Sequence, residues 1–282
     1  PVRGTDQTKW VHLVSINPGG PNGGSATQYF IGDFDGKKFV IDHDFETRMK
    51  NKHDFWTDFG KDNYAGVTFS NWESDKGGVL LLGWMSNWQY ASKVPTNTWR
   101  SAMTLGRELE LYKTKENSYR LRSILSSNFG NYESMAIEKQ GELIKENITL
   151  VSKKTIDLST AKVQIKISGL EDTEYTFEIA NSSGDKLVFG YDHKELLFFI
   201  DRSQSGKTKF SDKFSKKPSL APRLVNKRTL DIEFVLDKAS IEIFFDEGRT
   251  VMTEIFFPNA PMETLNLKTS ALNSIIDFFK VQ

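Results

Sequence analysis

Residues 83–107 read GWMSNWQYASKVPTNTWRSAMTLGR and contain three of the six tryptophans of the chain, Trp84, Trp88 and Trp99. Short amide side chains and a guanidinium, that of Arg100, are interleaved with these rings. An indole face can cover the C–H patches of a sugar while amides and guanidinium groups hydrogen-bond its hydroxyls. The pattern therefore indicates a sugar site. The alternative is a strand of core tryptophans whose indole N–H groups find partners inside the protein.

The composition excludes several classes of site. The 282 residues include no cysteine, which excludes disulfides, Cys-ligated zinc and a thiol nucleophile. Lysine plus arginine (37) equals aspartate plus glutamate (37), so no global field favours nucleic acid or an anionic membrane. The four histidines are scattered without metal-like spacing. We therefore predict no cofactor, no metal ligands, no nucleic-acid partner and no membrane partner.

The rest of the sequence predicts short strands separated by turns. In the first part we predict strands at 10–16, 27–34, 38–41, 65–71, 79–85, 101–113 and 119–125. In the second part we predict them at 162–167, 175–180, 186–191, 195–200, 229–236, 240–245 and 250–256. Near 123–127 the aromatic, loop-rich texture changes to strands rich in Lys, Glu, Ile and Phe, whose near-regular spacing predicts an antiparallel sandwich. Only 134–145 could form a helix, so the prediction is an all-β chain in two parts, 1–126 and 127–282.

Two segments carry a family resemblance. W-M-S-N-W-Q-Y at 84–90, followed by V-P-T-N-x-W-R-S-A-M-T at 94–104, resembles the last propeller blade of glycoside hydrolase family 32, the invertase, inulinase and levanase glycosidases. The stretch 237–258, DKASIEIFFDEGRTVMTEIFFP, resembles the C-terminal hairpin of that family. The resemblance implies the last blades of a five-bladed β-propeller, followed by an antiparallel β-sandwich. We predict that Ile241, Ile243 and Phe245 share one face of the hairpin, opposite Glu242, Phe244 and Asp246.

The resemblance also implies four substrate-binding residues. Trp88 matches the tryptophan that lines the subsite for terminal fructose, and Asn17 matches an asparagine that reaches toward the sugar. Asp58 and Lys61, in D-F-G-K-D-N-Y-A, match residues at the mouth of the pocket. The alternative for Asn17 is a turn-forming asparagine before proline. The alternative for Asp58 and Lys61 is a solvated ion pair on a loop, worth less than about 1 kcal/mol.

The catalytic carboxylates of the family have no counterpart here. Family members cleave β-fructosides with retention, through a nucleophilic Asp in W-M-N-D-P-N-G and an acid/base Glu in E-C-P, with a stabilising Asp in R-D-P. None of these strings occurs in the chain. We therefore predict no catalytic residue within this chain, and a chain that is inactive alone as the C-terminal part of a fructan- or sucrose-cleaving glycosidase.

Two other functions remain open: a non-catalytic fructan-binding module, and a structural β-sandwich that only supports a propeller. The expected partners are a fructan or sucrose-type carbohydrate and either the N-terminal propeller region or a second copy bound through exposed blade edges. The resemblance implies an extracellular or periplasmic location.

Overall fold

The computed structural model describes residues 1–72, 78–126, 137–152 and 156–282. These residues form four antiparallel sheets, with one α-helix and one short 3-10 helix, Ala91–Lys93. The prediction of an all-β fold is therefore confirmed. Within the described ranges, no helix has the length and apolar character needed to cross a membrane.

Two small sheets form the first part of the chain. The first has the order β1-β2-β3, with β1 at Trp10–Ile16, β2 at Ala26–Phe34 and β3 at Phe39–Ile41. The second has the order β4-β5-β7-β8, with β6 paired to β5. Its strands are β4 at Tyr64–Thr68, β5 at Val79–Met85, β6 at Ala102–Met103, β7 at Arg107–Lys113 and β8 at Tyr119–Leu125. These two sheets bury a common cluster that includes Tyr29 and Ile31 of β2 and Leu81 of β5.

A helix that the sequence analysis did not predict packs on the first sheet. It is α1, His43–Asn51, and the Asp42 side chain caps it by accepting from the Phe45 N–H at 3.2 Å. Phe45 is its one buried residue, with its ring 6.0 Å from that of Tyr29 and 4.5 Å from that of Phe55. A single buried ring leaves no 3.6-residue stripe, so the periodicity of the sequence did not reveal the helix.

Two larger sheets form the second part. The six-stranded sheet has the order β11-β20-β13-β14-β15-β16, and the seven-stranded sheet has the order β10-β21-β12-β17-β18-β19, with β9 paired to β21. The strands that open this part are β9 at Ile137–Lys139, β10 at Glu142–Leu143, β11 at Asn147–Val151, β12 at Ala161–Ser168, β13 at Glu174–Ala180, β14 at Lys186–Asp192 and β15 at Leu197–Gln204. Those that follow are β16 at Ser219–Pro222, β17 at Thr229–Asp237, β18 at Ser240–Phe245, β19 at Thr250–Ile255, β20 at Thr264–Thr269 and β21 at Ile275–Val281.

The inner faces of the two larger sheets share one core. Phe198 of β15 stacks on Phe245 of β18 with ring centroids 4.0 Å apart, and Phe189 of β14 meets Phe234 of β17 at 5.2 Å. The predicted faces of the hairpin are confirmed, because Ile241, Ile243 and Phe245 lie in this core. The opposite face is also covered, since Glu242 and Phe244 both contact Arg107 from the first part.

One secondary-structure prediction is wrong. Residues 134–136 lie outside the described residues, but the rest of the proposed helix at 134–145 contains β9 and β10 instead. Both strands pair with β21, so sheet pairing overrides the weak local helical preference. The predicted strands at 10–16, 79–85, 119–125 and 240–245 have the observed bounds.

Candidate functional site

Trp88 lies in the turn that follows β5, and 61% of its surface is exposed. Its ring is supported on one side by Trp84, with centroids 5.1 Å apart and planes inclined at 46°. Trp84 in turn meets Tyr64 of β4 edge-on at 6.2 Å. The indole of Trp88 is therefore held on other rings while much of its surface remains free for a ligand.

Asn17 is brought close to Trp88 by one hydroxyl. Asn17 follows β1 and Ser25 precedes β2, and the antiparallel register pairs Ile16 with Ala26. The Ser25 Oγ donates to Oδ1 of Asn17 at 3.3 Å and accepts from the backbone N–H of Trp88 at 3.1 Å. The exposed amide of Asn17 and the exposed indole are thus joined through a buried serine.

Asn87 organises the backbone beneath this pair. Its buried Nδ2 donates to the carbonyl oxygens of Gly23 (3.1 Å) and Lys61 (2.9 Å). Its Oδ1 accepts from the backbone N–H of Ser25 at 3.3 Å and from that of Gln89 at 3.0 Å. One carboxamide therefore uses both donors and both lone pairs to join three segments of the chain.

Gly24 is required beside Asn87. A Cβ at this position would lie 2.1 Å from the Asn87 Oδ1, and the residue has φ +75°. Only glycine combines that backbone conformation with so close an approach. The G-G-S sequence at 23–25 and the asparagine directly before Trp88 are the sequence signals that could have revealed this network.

Asp58 lies in a buried junction between the two parts of the chain, with 2% of its surface exposed. The Asp58 Oδ2 accepts from Nη1 of Arg107 and from the hydroxyl of Thr253, both at 2.6 Å. Its Oδ1 accepts from the backbone N–H of Gly60 at 2.7 Å and from that of Thr253 at 3.0 Å. Arg107 also donates to Glu242, so one guanidinium joins carboxylates from both parts. The bonding capacity of the Asp58 carboxylate is used inside the protein.

Lys61 lies in the same junction with 7% of its surface exposed. Its Nζ is 3.4 Å from the carbonyl oxygens of Lys213 and Phe214, and burial lowers the pKa of this ammonium. The alternative of a solvated Asp58–Lys61 ion pair is wrong, because both side chains are buried and bond to other groups. Gly60, which lies between them, allows the loop to pack this closely. A Cβ at Gly60 would lie 2.1 Å from the backbone oxygen of Thr253.

A second buried ion cluster lies next to Lys61. Arg202 of β15 donates through Nη1 to Asp62 at 2.5 Å, and the same nitrogen lies 2.6 Å from Oε2 of Glu254. The Tyr90 hydroxyl donates to Asp62 at 2.7 Å and accepts from Nη2 of Arg202 at 2.8 Å. Burial raises the pKa of both Tyr90 and Glu254. These charges hold the loop that contains Asp62 against β19, where Ile255 donates its N–H to Asp62 at 3.0 Å.

Two further side chains of residues 83–107, those of Arg100 and Trp99, have partners within the protein. Arg100 donates through Nη1 to the carbonyl of Val94 at 3.1 Å and to the hydroxyl of Thr96 at 3.0 Å, so it closes its own loop. Trp99 is 45% exposed, with its ring 6.4 Å from that of Phe257. Among the described residues, no group of three or more His, Cys, Asp or Glu side chains could hold a metal ion. The arrangement can therefore offer a ring face and amide groups to a polar ligand.

Comparison with known proteins identifies relatives over both parts of the chain. The family model described as "Glycosyl hydrolases family 32 N-terminal domain" matches residues 1–122, and "Glycosyl hydrolases family 32 C terminal" matches residues 131–280. A levanase from Bacillus subtilis is 32% identical over 95% of this chain and 39% of its own length. An invertase from Schwanniomyces occidentalis is 36% identical over 91% of this chain and 49% of its own length. The chain spans half or less of each of these two relatives.

Solved structures share the fold. A fructofuranosidase from Schwanniomyces occidentalis in complex with fructose aligns over 100% of this chain and 58% of its own, with a TM-score of 0.80 and 29% identity. An exo-inulinase from Aspergillus awamori aligns over 100% of this chain and 54% of its own, with a TM-score of 0.79 and 26% identity. The four sheets therefore occur together in these larger proteins.

Proposed function

Because the chain belongs to glycoside hydrolase family 32, we propose that it forms the C-terminal part of a β-fructofuranosidase and supplies part of the wall that faces a terminal fructose. The relatives are a levanase, invertases and exo-inulinases, which supports fructan or sucrose as the substrate class. The observation that carries the proposal is the exposed Trp88 indole linked through Ser25 to the exposed amide of Asn17.

The chemistry of these two groups suits a furanose ring. The indole face covers C–H groups, while the Asn17 amide provides both donors and an acceptor for hydroxyls. The Ser25 hydroxyl bonds the Asn17 side chain and the Trp88 backbone, and Asn87 holds the backbone around both, so little ordering entropy is lost when a sugar binds. Within this proposal Trp88 and Asn17 are the substrate-binding residues. Asp58 and Lys61 hold the loop that supports them.

We place the bond-breaking carboxylates outside this chain. Retaining hydrolysis needs a nucleophile and an acid/base about 5–5.5 Å apart on the two sides of the glycosidic bond. The carboxylates beneath the site, among them Asp58, Asp62 and Glu242, are buried and paired with Arg107 or Arg202. A paired, buried carboxylate cannot attack an anomeric carbon. We expect the chain to bind terminal fructosyl groups weakly and not to hydrolyse fructans or sucrose alone. The similarity to glycosidases does not favour a binding module of another kind.

The finer architecture is part of the proposal. Residues 1–126 would be the last blades of a five-bladed propeller, and residues 127–282 a β-sandwich. The supporting observations are two small antiparallel sheets that share a cluster, followed by two larger sheets that enclose a larger core, to which Ala26, Trp56 and Phe59 of the first part also belong. Because several relatives are described as extracellular, an extracellular location is proposed as well.

An apolar groove in the first part would meet the rest of the propeller or a second copy. It encloses about 940 Å³ between the N-terminal residues, β1 and the second sheet. Trp10, Val67 and Val79 line it and are 57%, 69% and 43% exposed. Exposed apolar surface of this kind is typical of an interface.

Two measurements test the proposal together. The purified chain is incubated with sucrose, inulin and levan, and no release of fructose is expected. The same chain is titrated with a short inulin oligosaccharide, and weak, saturable binding is expected that Trp88→Ala removes. Trp10→Ala is the matched control, since Trp10 is similarly exposed but lies on β1. Hydrolysis at enzymatic rates, or binding that survives Trp88→Ala, would contradict the proposal.

A further inference from the structure

Asn22 attaches the turn that links Asn17 to Ser25 to the second part of the chain. Backbone bonds close the turn, with the N–H groups of Gly19 and Gly20 donating to the carbonyl of Gly24 at 3.1 and 2.9 Å. Asn22 projects from it. The Asn22 Nδ2 donates to the backbone carbonyl of Phe59 at 2.6 Å and to that of Leu220 at 2.9 Å. The Asn22 Oδ1 accepts from the backbone N–H of Leu220 at 2.9 Å.

Leu220 belongs to β16, the edge strand of the six-stranded sheet. The outer edge of such a strand presents unpaired N–H and C=O groups. The Asn22 carboxamide bonds both groups of Leu220, as the backbone of a neighbouring strand would. One side chain from the first part therefore completes the pairing of a residue in the second part.

The same turn ends at the residues that hold the candidate site. Its last glycine, Gly24, packs against the Asn87 carboxamide, and Ser25 then bonds both Asn17 and Trp88. A displacement of the turn at Asn22 would move Gly23, whose carbonyl accepts from Asn87. The contact at Leu220 is thus connected to the exposed indole through hydrogen bonds and the short pieces of backbone between them.

The geometry points to Asn22 as a positioning residue, through which the edge of the C-terminal six-stranded sheet fixes the turn that carries Asn17 and supports Trp88. The effect of Asn22 on sugar binding rests on the proposed function, whereas its effect on the order of the turn does not depend on that function. The C-terminal part then contributes to the sugar site without touching the sugar.

A merely stabilising role is distinguished by a matched control. Asn181, between β13 and β14, also lies in a turn and makes a similar set of bonds. Its Nδ2 donates to Asp185 at 2.9 Å and to the carbonyl of Ala260 at 2.7 Å, and its Oδ1 accepts from the N–H groups of Ser183 and Asp185 at 3.0 Å. Asn181→Ala removes comparable bonding from a turn that belongs wholly to the second part.

The first readout is backbone amide exchange. In Asn22→Ala, the amides of Gly20, Ser25 and Trp88 should exchange about tenfold faster or more, while Asn181→Ala leaves them unchanged. Should Asn22→Ala fail to fold, Leu220→Pro removes one of the three bonds from the other side. Proline is tolerated on an edge strand where the N–H points away from the sheet. Unchanged exchange at these amides in a folded variant would overturn the inference.

The second readout is affinity for a short inulin oligosaccharide. Asn22→Ala should weaken binding several-fold, and Asn181→Ala should not. Faster exchange with no sugar binding by any form, the wild-type chain included, would support the positioning contact and contradict the proposed function. Wild-type binding that is equal in Asn22→Ala would overturn the claim that the contact positions the sugar site.

Discussion

Oδ2 of Asp58 accepts a hydrogen bond from Nη1 of Arg107 at 2.6 Å, and both side chains are buried where the first part of the chain meets β19. Arg107 also donates to Glu242 of β18, so its guanidinium joins a carboxylate of the first part to a carboxylate of the second. This contact holds the loop of Asp58, whose sequence resembles a segment at the mouth of the family's pocket, in a buried junction. The sugar-facing groups proposed here are held above it through Asn87.

Loss of Arg107 should therefore destabilise the whole chain. Arg107→Ala leaves the Asp58 and Glu242 carboxylates buried without their cation, which costs about 3–5 kcal/mol. Urea denaturation measures the effect. Arg3→Ala is the control, because Arg3 pairs with Glu110 at 2.7 Å while 54% of its side chain is exposed, and its loss should cost less than about 1 kcal/mol. Equal midpoints for the two variants would show that the buried ion pairs of Arg107 contribute no more to stability than the exposed pair of Arg3.

Gly60 allows the loop to approach β19. A Cβ there would lie 2.1 Å from the backbone oxygen of Thr253 and 2.3 Å from its nitrogen. Gly60→Ala should cost about 1–3 kcal/mol or more, because backbone on both sides must shift. In Gly78→Ala, by contrast, the nearest atoms lie at 3.4 Å, so its melting temperature should change little. A Gly60→Ala variant as stable as the Gly78→Ala variant would contradict the observed approach.

The stability of the chain should fall at alkaline pH. Burial raises the pKa of Tyr112 to about 12 from its ordinary value of 10.0, and the ring also contacts Arg249. Between these two pH values the folded state retains a proton that the unfolded state has lost, so the free energy of unfolding decreases as pH rises. After allowance for the partial exposure of the ring, Tyr112 should contribute about 1–2 kcal/mol to this decrease.

Urea midpoints of the wild-type chain and of Tyr112→Phe, measured at pH 8 and near pH 11, check this expectation. The difference between the two midpoints at pH 8 measures the effect of losing the hydroxyl when Tyr112 is neutral in both the folded and the unfolded state. Tyr112→Phe should lose less stability than the wild-type chain on going to the higher pH. Parallel losses in the two proteins would contradict the link between burial of Tyr112 and alkaline stability.

The sequence contained most of the architecture and only part of the site. Short apolar segments such as Val79–Met85 and Ser240–Phe245 gave the observed strand bounds, because turn-forming residues stand on both sides of them. Helix α1 was missed because Phe45 is its one buried residue. Where the local sequence pattern is weak, tertiary contacts determine the secondary structure, and the periodicity of the sequence does not reveal those contacts.

The site shows the same division. Trp88 and Asn17 were predicted from the resemblance, and the structure places them on either side of Ser25, although their contact with sugar stays a prediction. Asp58 and Lys61 were expected at the mouth of a pocket, yet both are buried. Their surroundings depend on β19, which lies far along the chain. No local pattern could therefore separate an exposed carboxylate from a buried one.

Asn87 should be needed for the geometry of the site. Asn87→Ala removes four hydrogen bonds and leaves the carbonyls of Gly23 and Lys61 unpaired, at a cost of about 2–4 kcal/mol in the free energy of unfolding. Asn266→Ala, which loses one exposed bond with Thr149, should cost less than about 1 kcal/mol. Thermal unfolding of the two variants gives the comparison, and similar losses would argue against the role assigned to Asn87.

The proposed function depends most directly on contact between a sugar and the ring of Trp88. The direct measurement is a nuclear magnetic resonance titration of the chain with a short inulin oligosaccharide, in which the indole N–H signals are assigned by Trp88→Phe and Trp10→Phe. The Trp88 signal should shift in a saturable way, with a Kd in about the millimolar range expected of a partial site, while the Trp10 signal stays in place. A Trp88 signal that does not move at saturating sugar would contradict the account.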